Sequence, residues 1–131
     1  MLGVNYKNLL KDAYPEITKV FNLETAAYLH NSTVANVSIL TFYYPRGNQF
    51  ISSGYLVGLE IESLDILPIN VKYGGVKITD PIRTLQDLFE YEELIDPQVT
   101  FDFVSWFKAT QKINPCEFLD KKYHNEVLEI L

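Results

Sequence analysis

The middle of the chain alternates apolar and polar residues, whereas its last third repeats apolar residues at helical spacing. Val76 and Ile78 alternate with Lys77 and Thr79, which predicts a half-buried strand. Asp80 and Pro81 follow, a residue whose carboxylate can cap a first helical turn and one whose missing N–H costs nothing at N1. Ile82, Leu85, Leu88 and Phe89 then fall on one stripe of the predicted helix, with Arg83 and Asp87 four apart on another face and Thr84 beside them. The stretch VKITDPIRTLQDLF is thus read as a strand running directly into a capped amphipathic helix.

The same reading extends along the chain. Tyr6–Ala13 predicts a short helix that Pro15 interrupts, and Ile17, Val20 and Phe21 follow at helical spacing. Asn22 is the expected cap of a helix over Leu23–His30 with Leu23, Ala26, Ala27 and His30 on one face; a charged His30 in the last turn would suit the helix dipole. Val34–Tyr44 is β-branched and aromatic, a strand best defined over Val37–Tyr44, and Pro45-Arg46-Gly47-Asn48 closes it. Gln49–Gly54 predicts a helical turn, and Tyr55–Ile61 and Ile66–Tyr73 further strands. Gly74-Gly75 marks a hairpin, because both positions tolerate positive φ.

Asp96-Pro97 opens a helix with Val99, Phe103, Trp106 and Phe107 on its apolar stripe, and Asn114-Pro115 opens a last helix over Pro115–Leu131. The expected fold is therefore α+β: a small mixed or antiparallel sheet with an inserted hairpin, packed by helices, and a helical C-terminal third. One domain is expected over residues 1–131, divided into an N-terminal extension (1–21), an α/β core (22–95) and a helical tail (96–131).

Composition narrows the functions this fold serves. At 47% hydrophobic and 14% aromatic, the chain has ample material for a core. Its formal net charge of −6, with Lys121–Lys122 the one adjacent basic pair, disfavours direct DNA or RNA binding. The single cysteine, Cys116, rules out an intrachain disulfide and fits a reducing cytoplasm; a packed or idle thiol is the expectation. No apolar run is long enough to span a membrane, and the first residues do not form a signal peptide.

Chemistry is sparse. Glu60 and Glu62 share a strand face but lack the lysine two residues on that a common nuclease site needs, so a solvated face is expected. Glu90, Glu92, Glu93 and Asp96 form an acidic run, read as solvated or as a dock for a basic partner. Nothing calls for a metal or cofactor.

Three stretches in order carry a more specific signal: TAAYLH (Thr25–His30), YYPRG ending in Pro45-Arg46-Gly47, and TDPIRTLQDL (Thr79–Leu88). In order and spacing they resemble the AbiEi family of antitoxins from bacterial type IV toxin–antitoxin systems of abortive infection. The resemblance runs from about Phe21 onward and directs attention to Tyr28, His30, Arg46, Arg83, Thr84 and Asp87. It implies a non-catalytic domain that counteracts a nucleotidyltransferase-like toxin without requiring a stable complex. Family members usually begin with a winged helix-turn-helix that binds their promoter. The residues before Asn22 are too few for one, so the expectation is the antitoxin domain alone.

Two other functions compete with it. A phosphate-handling enzyme would use Arg83, Thr84, Asp87 and His30 if they converged in one cleft. A transcriptional co-regulator would expose Trp106 and Phe107 as anchors.

Overall fold

Two phenylalanines facing each other across adjacent strands, Phe21 and Phe42, mark the centre of the fold. Their rings lie 6.3 Å apart in a T-shaped contact, and both are fully buried. The computed structural model describes residues 19–33, 35, 39–47, 56–72 and 75–131. The readings for Tyr6–Ala13, Ile17 and Gln49–Gly54, and the first part of the Val34–Tyr44 strand, lie outside them.

Among the described residues the chain forms β1 (Val20–Phe21), α1 (Leu23–Leu29), β2 (Leu40–Pro45), β3 (Leu56–Ile61), β4 (Ile69–Lys72), β5 (Val76–Thr79), α2 (Pro81–Glu90), α3 (Pro97–Gln111) and α4 (His124–Ile130). The strands make one mixed sheet in the order β3-β2-β1-β5-β4. β1 pairs antiparallel with β2 and parallel with β5; β2 pairs parallel with β3, and β4 antiparallel with β5. The α+β class, the mixed sheet, the hairpin and the helical C-terminal third are all as expected. The hairpin closes with Gly75 at φ 118°, a conformation that favours glycine.

The sheet buries its two faces unequally. Phe21 and Phe42 belong to the main core, with Ile78 from β5, Leu85, Leu88 and Phe89 from α2, and Val99, Phe103, Val104 and Phe107 from α3. The neighbouring pair Val20↔Tyr43 faces the other way and forms a small second core with Leu67. Side chains alternate across a strand, so one register sets both clusters.

Three expectations require correction. Val20 and Phe21 are not helical: they are the central strand, held between β2 and β5, so the sheet reaches into the segment assigned to an N-terminal extension. Tertiary pairing overrides local spacing here, because burial between two strands outweighs the weak preference of so short a segment. The last helix is not continuous over Pro115–Leu131. Two 3₁₀ turns, Pro115–Phe118 and Lys121–Tyr123, precede α4. Asn114 caps the first turn as predicted, but inside the expected helix the Asp120 side chain accepts the Lys122 N–H, a local bond that competes with helix propagation. Likewise Leu64–Ile66 is a 3₁₀ turn, and the strand predicted from Ile66 starts at Ile69.

Asn22 stands at the predicted cap position of α1, but its side chain makes no capping bond. Leu23 takes φ 44°, a left-handed backbone that costs roughly 1–2 kcal/mol. Thr41 of β2 supplies the cap instead: Thr25 N–H donates to Thr41 Oγ1 at 3.3 Å, and Thr41 N–H donates to Thr25 Oγ1 at 2.8 Å.

Candidate functional site

The junction of β5 and α2 gathers the polar residues that the sequence singles out. Asp80 caps α2 as predicted, its Oδ1 accepting the Arg83 N–H at 2.8 Å with Pro81 at the first helical position. Thr79, the last residue of β5, is fully buried, although strand alternation placed it on the polar face with Lys77. Its carbonyl is the node of the site. Thr84 Oγ1 donates to it at 3.0 Å, and His30 Nε2, arriving from the end of α1, donates to it at 2.9 Å. The Thr79 and Thr84 hydroxyls are 2.6 Å apart. Thr84's one proton goes to the carbonyl, so the Thr79 hydroxyl is the donor between them.

His30 is the C-cap of α1 and is 6% exposed. Because a carbonyl only accepts, Nε2 carries a proton. Burial pulls the imidazole below its ordinary pKa of 6.5, with the Thr79 bond opposing. His30 is thus favoured in its neutral form, because burial between α1, β5 and α3 penalises the cation more than a single carbonyl stabilises it. Its ring lies 5.5 Å from that of Trp106 and 6.1 Å from that of Phe103.

One residue along α2 a second cluster forms. Arg83 Nε donates to Asp87 Oδ1 at 3.0 Å, the predicted pair four residues apart. Arg83 also reaches out of its helix. Its Nη2 donates to the Tyr43 hydroxyl at 3.4 Å, and its guanidinium lies 5.4 Å from the centre of the Tyr43 ring. The group Arg83 meets outside its own helix is thus a phenol from β2. Asp87 is 4% exposed, and its Oδ2 has no hydrogen-bond partner among the described residues. Burial raises its pKa, and the Arg83 charge only partly offsets this. Burial, followed by the Asp87 carboxylate, also pushes the Tyr43 phenol up.

The other singled-out residues lie apart from this junction. Tyr28 is half-buried against the main core. Arg46 lies in the turn after β2 and meets Glu62 at 3.7 Å, both side chains exposed, a pair worth little in water. Phe107 is fully buried and Trp106 packs on His30, so the co-regulator's exposed aromatic anchors are corrected: the stripe is core. Cys116 is half-buried. Among the described residues no group of three or more His, Cys, Asp or Glu is placed to hold a metal ion. Nor is any helix long and apolar enough to cross a membrane.

Sequence reasoning missed three participants. Tyr43 sat unremarked within the aromatic strand, and Thr79 was assigned to the solvent side. Glu24, 6% exposed, accepts the Asp96 N–H at 2.7 Å and ties the start of α1 to the start of α3. A buried glutamate in the first turn of a helix carries no local sign of a partner 72 residues away.

The chain matches no protein-family model. A search of curated proteins likewise returns no match.

Proposed function

We propose that this chain is an antitoxin domain of a bacterial type IV toxin–antitoxin system, counteracting a nucleotidyltransferase-like toxin through a non-catalytic surface. One observation carries the reading. Two of the three stretches that carry the resemblance, TAAYLH and TDPIRTLQDL, lie far apart in sequence yet meet at the Thr79 carbonyl through His30 and Thr84. A motif whose members tie two elements together is what a structural signature of a family looks like, and it requires no reaction.

The geometry gives less support to the phosphate-handling alternative. That function needs His30, Arg83, Thr84 and Asp87 to face one cleft. Instead His30 and Thr84 converge on Thr79, while Arg83 and Asp87 turn to each other and to Tyr43. His30 is also only 6% exposed, so the ring nitrogen not bonded to Thr79 has little access to a substrate.

The proposal is tested by co-expressing the chain with the nucleotidyltransferase-like toxin encoded beside it and counting survivors. Rescue is expected. Soluble, folded protein that leaves the toxin fully lethal would overturn the reading.

A further inference from the structure

On the far side of α3 from His30, a groove of about 550 Å³ runs between the first turns of α3 and the C-terminal helix α4. This volume is in the range that holds a ligand or several side chains. Its apolar walls are Phe101 and Ile130, and Phe101 is 47% exposed, a large side chain left open to water. Three carboxylates line it: Glu92, Glu126 and Glu129. No basic side chain is among its described lining residues. Thr100 lines it as well; this residue is only 5% exposed, and its hydroxyl oxygen has no hydrogen-bond partner among the described residues.

These features are costly in the free protein. The carboxyl of Glu126 is shifted up, first by partial burial and then by the charge and hydrogen bond of Glu92 and the charge of Glu129, so three carboxylates repel one another at the exposed rim of the groove. A buried hydroxyl without a partner forfeits the hydrogen bonds it made to water. A cation with an apolar neighbour would relieve both: the carboxylates gain a counter-charge, Phe101 and Ile130 gain cover, and Thr100 gains a donor to accept from.

We infer that this groove binds a basic, amphipathic segment of a protein partner, seating a lysine or arginine among Glu92, Glu126 and Glu129 and an apolar side chain against Phe101 and Ile130. The charge complementarity and the open apolar wall together favour a peptide segment over a bare cation, which would leave Phe101 uncovered. The inference does not rest on the antitoxin reading, since it concerns a surface that none of the junction residues lines.

The test is an amide-resolved NMR titration of the full chain with a short helical peptide of lysine and leucine. Chemical-shift changes are expected to concentrate at Thr100, Phe101, Glu126 and Ile130. Glu126→Gln with Glu129→Gln should weaken binding roughly tenfold, whereas Glu60→Gln with Glu62→Gln, which removes the same charge from another exposed surface, should change it less than about twofold. Phe101→Ala, at an exposed position, should weaken binding severalfold and keeps the test decisive should the double glutamate variant fail to fold. Equal weakening by both glutamine pairs, or shifts scattered over the surface, would reduce the binding to attraction by net charge and overturn the inference. Displacement of the peptide by spermidine at equal concentration would overturn it in favour of a simple cation site.

Discussion

The two polar clusters on α2 begin one residue apart, yet they obey different physics. The Thr79–Thr84–His30 cluster holds no formal charge while His30 is neutral, and its bonds run to a carbonyl that accepts two of them. It can therefore be sealed: Thr79 and Thr84 are fully buried and His30 nearly so. The Arg83–Asp87–Tyr43 cluster holds a full ion pair. It keeps the guanidinium partly in water, with 28% of the Arg83 side chain exposed against 6% for Asp87. Among the described residues the second Asp87 carboxylate oxygen has no well-formed hydrogen bond, the nearby Tyr43 phenol lending only part of one. A neutral network tolerates complete burial at little cost, whereas an ion pair does so only when every lone pair is matched. The first cluster is accordingly read as the lock of the fold and the second as a brace that solvent still helps to support.

That contrast can be broken at its ends. The largest effect is expected from Arg83→Ala, which strands the buried Asp87 carboxylate: a loss of about 3 kcal/mol at neutral pH by chemical denaturation. The sign of its pH dependence follows from Asp87. A carboxyl whose folded pKa is raised favours the fold when protonated and disfavours it when ionised, and removing Arg83 raises that pKa further. The penalty of Arg83→Ala should therefore shrink on acidification; a penalty constant from neutral to acid pH would show that Asp87 is not its source.

Thr84→Val comes next, leaving the Thr79 hydroxyl with no acceptor, at about 2 kcal/mol. Adding Thr79→Val should cost less than the sum of the two single changes, because the orphaned partner disappears with it. Strict additivity would mean that the two hydroxyls do not act as one unit. Asp87→Asn should cost about 1 kcal/mol or less, since Arg83 can turn to water while the amide avoids burying a charge. A loss equal to that of Arg83→Ala would place the two clusters in the same class and end the comparison.

The smallest effect concerns slope rather than magnitude. His30 has a folded pKa below its unfolded value, so the stability it contributes is present above about pH 6.5 and lost as pH falls through the folded value. His30→Gln, whose amide can still donate to the Thr79 carbonyl, should flatten the thermal-melt profile below that pH relative to the parent chain. An unchanged profile would place the titration elsewhere.

Most of the strand-to-helix junction was legible because its signals are local. Asp80 followed by Pro81 fixes a helix start, and the stripe from Ile82 to Phe89 fixes which face is buried. The Arg83–Asp87 pair follows from helical spacing alone. What local reading misses is long-range. Val20 and Phe21 become a central strand only because β2 and β5 flank them. Thr79 is buried because α1 delivers His30 above it, 49 residues away in sequence. The final helix breaks into turns where Asp120 satisfies the Lys122 N–H in competition with the helix, a contest periodicity does not weigh.

The central claim is that these junction residues hold the fold and perform no chemistry. The most direct test is survival on co-expression with a nucleotidyltransferase-like toxin of the kind the proposed function requires, with the parent chain and His30→Gln assayed in parallel and normalised to soluble protein. Equal rescue by both is expected, because the glutamine keeps the tie to Thr79. Rescue by the parent but not by soluble, folded His30→Gln would contradict the claim and make the imidazole itself a reacting group.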